Sequence, residues 1–271
     1  MVNGVGATKE LSLRVSVATL VRVVFKGPED GDLRLALERK ATLRTGENGR
    51  LVGVNAQPFG GAIRIRDLER LHDLTGDFHF DSERSQSEQD FRIFIRPSNW
   101  GVVREFCLQH LSRVGDSVLE TDPGRELAEE FADALKISLK PAQYIHKPIA
   151  TVIEDDPTPT ENIHARGYPT ARIYRVFEAD ILDNSLARAM LANSESISNQ
   201  DLCKLAEQDA QNGGKGRANA VLVLLLKRIK AVYSAMPSAE RNTPVIFEKT
   251  RLDETIPMVL EGISVPKYRR L

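Results

Sequence analysis

Arg125-Glu126-Leu127-Ala128-Glu129-Glu130-Phe131-Ala132-Asp133 sorts its polar and apolar residues as a helix does. At about 100° per residue, Glu126, Glu129, Glu130 and Asp133 share one stripe, while Leu127, Phe131 and Leu135 share another. Thr121-Asp122-Pro123 supplies a capping start with proline in the first turn, so a helix is predicted from there to about Leu135. Four carboxylates on one face repel one another unless water, a basic partner or a divalent cation offsets the charge. Oxygen-rich clusters are what Mg²⁺ or Mn²⁺ prefer. A solvated acidic face is the alternative meaning of the same run.

Working outward, residues Leu11 to Phe25 alternate and then become continuously apolar, as a long strand buried at one end does. Leu33 to Glu38 and Leu51 to Val54 read as further strands around a turn at Gly46-Glu47-Asn48-Gly49, and the second ends at Pro58-Phe59-Gly60-Gly61. Asp77 to Phe80 and Phe91 to Ile95 suggest a hairpin whose polar connection, Asp81 to Asp90, has the composition of a poorly ordered loop. A helix from Ser98-Asn99 to about Ser112 follows. Beyond the acidic helix, Tyr144 to Ile153 and Arg172 to Ile181 are extended. Residues after Asp183 read as helices: Ser185 to Ala192, Asn199 to Gln211 and Arg217 to Tyr233.

The 271 residues include 37 basic and 38 acidic side chains, which removes the bulk attraction behind nonspecific nucleic-acid binding; no nucleic-acid partner is expected. From residue 184 on there are 13 basic and 9 acidic residues, a bias that complementary packing of a helical part on a sheet accounts for. The apolar run Ala218 to Leu226 is about half of the roughly 20 residues a membrane-spanning helix needs, and reads as a buried helix. Met1 to Arg14 lacks the apolar core of a secretory signal. Cys107 and Cys203 stand apart, without a second thiol at metal-ligand spacing. No membrane association and a reducing, cytoplasmic compartment are therefore expected. The five histidines show no paired ligand spacing.

Arg125-Glu126-Leu127-Ala128-Glu129-Glu130 resembles the Arg-Glu-U-x-Glu-Glu core of the Nudix box, U being a bulky apolar residue. Strands leading into a Gly-Gly turn before the helix, and strands after it, are similar in order to those of Nudix proteins over about residues 11 to 183. The family's earlier box positions, a Gly and a Glu, are Leu111 and Ser117 here; Glu120 or Glu105 could supply the missing carboxylate. The resemblance implies a Nudix-like α/β (α+β) fold, a mixed sheet sandwiched by helices. Residues 1–183 would form that domain, with a hairpin-helix insertion at about 62–120, and residues 184–271 a helical C-terminal extension.

It further implies that Glu129 and Glu130 bind Mg²⁺ or Mn²⁺ near the Gly60 backbone, that Glu126 helps activate water, and that Arg125 orients Glu126. Hydrolysis of a diphosphate needs cations against the phosphate oxygens and a carboxylate to take a proton from water. Arg64, Arg166 and Arg172 lie on segments that could edge the same cleft and hold phosphate. Gly213-Gly214-Lys215-Gly216-Arg217 lacks the spacing and the Ser/Thr of a phosphate-binding P-loop and reads as an ordinary loop. The leading expectation is a metal-dependent hydrolase of a nucleoside-diphosphate-linked or related pyrophosphate compound. The alternatives are a catalytically inactive module that binds a nucleotide derivative, and a scaffold that engages a protein partner through its helical half.

Overall fold

The structure, a computed structural model, describes residues 12–46, 49–159 and 165–271. The chain opens with three strands, β1 (Leu13–Lys26), β2 (Leu33–Gly46) and β3 (Gly49–Gln57). Glu47 and Asn48 of the expected turn, like Leu11 and His164, lie outside the described residues. Next come helix α1 (Leu68–Thr75), strand β4 (His79–Phe80), helix α2 (Glu83–Glu88), strand β5 (Arg92–Ile95) and helices α3 (Trp100–Leu111) and α4 (Gly124–Leu135). Two long strands, β6 (Tyr144–Pro159) and β7 (Pro169–Ile181), precede helices α5 (Asn184–Ser196) and α6 (Asn199–Gln211). The last part holds β8 (Arg217–Leu225), α7 (Leu226–Ala235), β9 (Val245–Phe247), β10 (Thr250–Leu252), α8 (Ile256–Val259) and β11 (Arg269–Arg270).

All these strands join one mixed sheet in the order β11-β6-β7-β1-β2-β3-β10-β9, with β5 also paired to β1, β4 to β5, and β8 to β2. The fold class is thus mixed α and β, with helices on both faces of a curled sheet. Alternation along β1 divides the core: Val21, Val23 and Phe25 face α4 and α5 with Leu127, Phe131 and Met190, while Val24 faces the other way with Leu35, Leu37, Ile229 and Tyr233. Among the described residues no helix is long and apolar enough to cross a membrane.

Three sequence expectations are corrected. The stretch Arg217 to Tyr233, expected to be one helix, is strand β8 followed by helix α7, and the apolar run read as a buried helix is therefore strand from Ala218 to Leu225, with Leu226 opening α7. Nine residues suffice for a strand, Val221 and Val223 suit a pleated surface, and β2 offers a backbone edge from Arg34 to Thr42 that only another strand satisfies. On the outer edge of β8, the Val221 N–H donates to Asn193 Oδ1 at 2.8 Å and the Val223 N–H to Ser194 Oγ at 2.9 Å, so α5 closes an edge that would otherwise be open. The region after Asp183, expected to be helical, accordingly contributes four strands to the sheet as well as α5 to α8.

The polar connection Asp81 to Asp90, expected to be poorly ordered, contains α2. Its Ser82 side chain accepts the Ser85 N–H at 3.1 Å, and Asp81 accepts hydrogen bonds from the Ser85 hydroxyl at 2.7 Å and from Arg14 at 2.6 Å. Helix α1 was not expected at all; Asp67 caps it by accepting the Arg70 N–H at 3.0 Å.

Candidate active site at the fork of the sheet

Strands β1 and β2 are paired only between Val23–Lys26 and Leu33–Ala36, after which they diverge. Into the fork runs the segment after β3. The Val21 N–H donates to the Phe59 carbonyl at 2.7 Å and the Thr19 N–H to the Gly61 carbonyl at 2.8 Å. Gly60 has φ +138°, and a Cβ there would run into the Thr19 carbonyl, so this backbone lies closer to β1 than any side chain permits.

Helix α4 packs over this segment because its apolar stripe has a single place to go. Leu127 and Phe131 are buried, and the Phe131 ring lies 4.9 Å from that of Phe59. That seating turns Glu126 and Glu130, one turn apart, toward the glycine pair. The Gly60 N–H donates to Glu130 Oε2 at 2.9 Å, and the Glu126 carboxylate occupies the space a Gly61 side chain would fill. Each glycine is thus required by a different contact. Glu129 is exposed, and Asp133 lies at the exposed margin of the same cleft.

Arg125 organises three carboxylates at once, reaching Glu120 at 2.6 Å, Glu126 at 2.6 Å and Glu129 at 3.2 Å, with a further bond to the Ala62 carbonyl at 3.3 Å. Burial alone would disfavour its charge, but these partners outweigh it and keep the guanidinium protonated. Of the two carboxylates that could replace the one absent at Ser117, the structure brings Glu120 to Arg125. Glu105 instead sits on α3, 69 % exposed and paired with Arg104. Loss of water raises the Glu126 carboxyl above its usual range despite the attraction of Arg125, and Glu130 is pushed well up by loss of water and by the charge of Glu38.

Glu38 was missed by sequence reasoning. It is fully buried on β2 and accepts hydrogen bonds from Asn219 Nδ2 at 2.9 Å and Gln57 Nε2 at 3.0 Å, with the Lys40 ammonium at 2.9 Å. An acid in the strand pattern Ala36-x-Glu38 faces the side on which Ala36 is buried, a period-two signal that alternation alone carries. Its other partners come from β3 and β8, far apart in the chain.

The cleft that results has a volume of about 1000 Å³. One wall is the α2 region, with Arg84, Glu88, Asp90 and Arg92; the other is the loop entering β8, with Gly214, Lys215 and Arg217. Of the three arginines expected at its edge, one borders the lining and two are elsewhere. Arg64 does not line it but borders it: its backbone bridges Asp90, its charge adds to that of Arg84 in lowering the Glu88 carboxyl, and its carbonyl accepts the Glu120 N–H at 3.0 Å. Arg166 is exposed beside Gly167, outside the cleft lining, and Arg172 is committed to the buried Glu154 at 2.6 Å, also away from the cleft.

No protein-family model, curated protein or solved structure matches the chain. The chemistry of the cleft rests on its own atoms. Among the described residues, no three His, Cys, Asp or Glu side chains already form a metal cage. Among the described residues no basic side chain forms an ion pair with Glu130, whose charge is opposed by Glu38 and Glu126 and partly offset by Lys40.

Proposed function

We propose that the cleft is the catalytic centre of a metal-dependent hydrolase of Nudix-like type, acting on a nucleoside-diphosphate-linked or related pyrophosphate compound. The observation that carries this reading is the placement of Glu126 and Glu130 against the Gly60–Gly61 backbone, partly withdrawn from water and beside Arg125. In this proposal Glu129 and Glu130 hold Mg²⁺ or Mn²⁺, with the Gly60 backbone alongside. The cation supplies charge neutralisation at the phosphate oxygens. Glu126 takes a proton from water as the water oxygen bonds to phosphorus and the bond from phosphorus to the bridging oxygen breaks, leaving two phosphate products. A carboxylate with a raised pKa is a better proton acceptor than an exposed one. Arg125 is a positioning residue that fixes the direction of the Glu126 carboxylate.

A second reading has its own observation. Arg125 already neutralises Glu120, Glu126 and Glu129 together, and Ser117 stands where the family carries a glutamate, an arrangement that suits a module that binds a nucleotide derivative without cleaving it.

Cation binding tests the centre directly. Titrated with Mn²⁺ in a calorimeter, Glu130→Gln is expected to bind at least about tenfold more weakly than the parent, since a ligand and a compensating charge are both lost. Glu129→Gln, exposed and already shared with Arg125, loses less. Parent-like Mn²⁺ affinity in both variants would reduce the stripe to a solvated surface.

A further inference from the structure

The cations that line the cleft are not equivalent. On the α2 wall, Arg84 is paired with Glu88 at 2.9 Å and Arg92 with Asp90 at 3.1 Å, and on the floor Arg125 and Lys40 are each bound to glutamates. On the opposite wall the side chains of Lys215 and Arg217 form no ion pair among the described residues, although the cleft is rich in carboxylates. Lys136, at the end of α4, lines the cleft as well and gives its ammonium to the Asp133 carbonyl at 2.9 Å, so the cleft cations without a carboxylate partner among the described residues are Lys136, Lys215 and Arg217.

The loop that carries Lys215 and Arg217 is held in place. The Gly214 N–H donates to the Asp209 carbonyl at 2.8 Å, the Arg217 N–H to Asp209 Oδ2 at 3.1 Å, and the Leu43 N–H to the Gly216 carbonyl at 2.8 Å. The Asp209 carboxylate fills the space where a Gly214 side chain would sit, and Gly216 takes φ +66° against Leu43. Asp209 is thus bound to loop backbone rather than to Lys215 or Arg217. Both cations are exposed toward the cleft, and next to them Asn219 keeps its Oδ1 buried without a partner among the described residues while its Nδ2 holds Glu38.

Resting on the hydrolase reading above, we propose that Lys215 and Arg217 form an anion-binding wall for the phosphate chain of the ligand, so that the phosphates lie toward the loop before β8 and the organic group lies toward α2. Guanidinium and ammonium groups grip phosphate oxygens through charge-assisted bonds, and a cleft of about 1000 Å³ has room for a good deal more than two phosphates. The loop lies outside the stretch that resembles a known family, so this wall is a property of this chain.

The test uses the full chain and inorganic pyrophosphate as probe, titrated calorimetrically in chelator-treated buffer at low ionic strength. The parent is expected to bind, and the double variant Lys215→Gln/Arg217→Gln to bind at least about tenfold more weakly, because charged hydrogen bonds are lost. Arg84→Gln should change affinity less than about twofold, its charge being already spent on Glu88. Glu130→Gln should bind pyrophosphate no more weakly than the parent in this metal-free buffer, since a negative charge has been removed. Thermal melting confirms that the exposed substitutions leave the fold intact.

Equal binding by the parent and the double variant overturns the wall while leaving the cation site of the hydrolase reading standing, since that site is measured with Mn²⁺ alone. A larger loss in Arg84→Gln than in the double variant reverses the proposed orientation and overturns it too. A parent that binds no pyrophosphate, with or without Mn²⁺, overturns the wall and the hydrolase reading together.

Discussion

Glu126→Gln is expected to lower kcat by about 10² to 10⁴-fold on any diphosphate the protein cleaves, with KM nearly unchanged. The amide keeps the shape and the polar contact over Gly61 but cannot accept a proton from water. The rate is measured with Mg²⁺ on a panel of dinucleoside polyphosphates, nucleotide sugars and ADP-ribose. A variant as active as the parent would remove Glu126 from the chemistry, and tight binding of one compound by the parent without cleavage would favour the binding module. Arg125→Gln separates positioning from proton transfer, since it leaves the Glu126 carboxylate in place but undirected. It should therefore lower kcat by less than Glu126→Gln does, with a smaller effect on Mn²⁺ affinity than Glu130→Gln.

The largest expected effect on stability lies at the other end of the cleft. Arg14 and Asp81 form an ion pair at 2.6 Å with side chains only 4 % and 1 % exposed. Burial pushes the Asp81 carboxyl up, but the Ser85 hydroxyl and the Arg14 charge outweigh it and leave the carboxyl below its usual range. Arg14→Met strands that carboxylate and should cost about 3 to 5 kcal/mol at neutral pH, read from urea unfolding. A depressed carboxyl stabilises the folded chain above the unfolded-state value of roughly 4, and that contribution disappears as pH falls through the folded value. The gap between parent and variant should therefore narrow on acidification, because a neutral Asp81 no longer needs its partner. A gap that stays constant down to low pH would assign the loss to packing of the arginine stem.

The acidic helix was legible in the sequence because both its stripes are local: Leu127 and Phe131 recur at helical spacing, and burying them leaves Glu126 and Glu130 a single direction to face. The Gly60–Gly61 turn was legible for the same reason. Glu38, Asn219 and Gln57 were not, since three separate strands must pair before their side chains meet, and no spacing records that. Glu120 could be named as a candidate but not chosen, because the loop from Asp116 to Asp122 takes its course from the Asp116 carboxylate accepting the Val118 and Leu119 N–H groups at 2.8 and 2.9 Å. Strand β8 was misread for a related reason: apolar character over nine residues does not distinguish a strand from a helix, and the deciding partner, the free edge of β2, is distant in sequence. Arg172 could not be placed from sequence because position on a strand says which face a residue takes but not which acid it meets, and Arg172 meets Glu154.

The hydrogen bond between Glu38 and Asn219 joins residues 181 positions apart. During synthesis, β2 therefore emerges long before the strand that completes its second edge, and Glu38 has neither its amide donor from β8 nor its burial until α4, α5 and α6 have all been made. A site assembled from such distant pieces acquires its walls late, after the slow search that long-range strand pairing imposes. Until β8 is in place, the growing chain carries Glu126 and Glu130 without the loop of Lys215 and Arg217, so the cleft cannot be complete before that segment has been made.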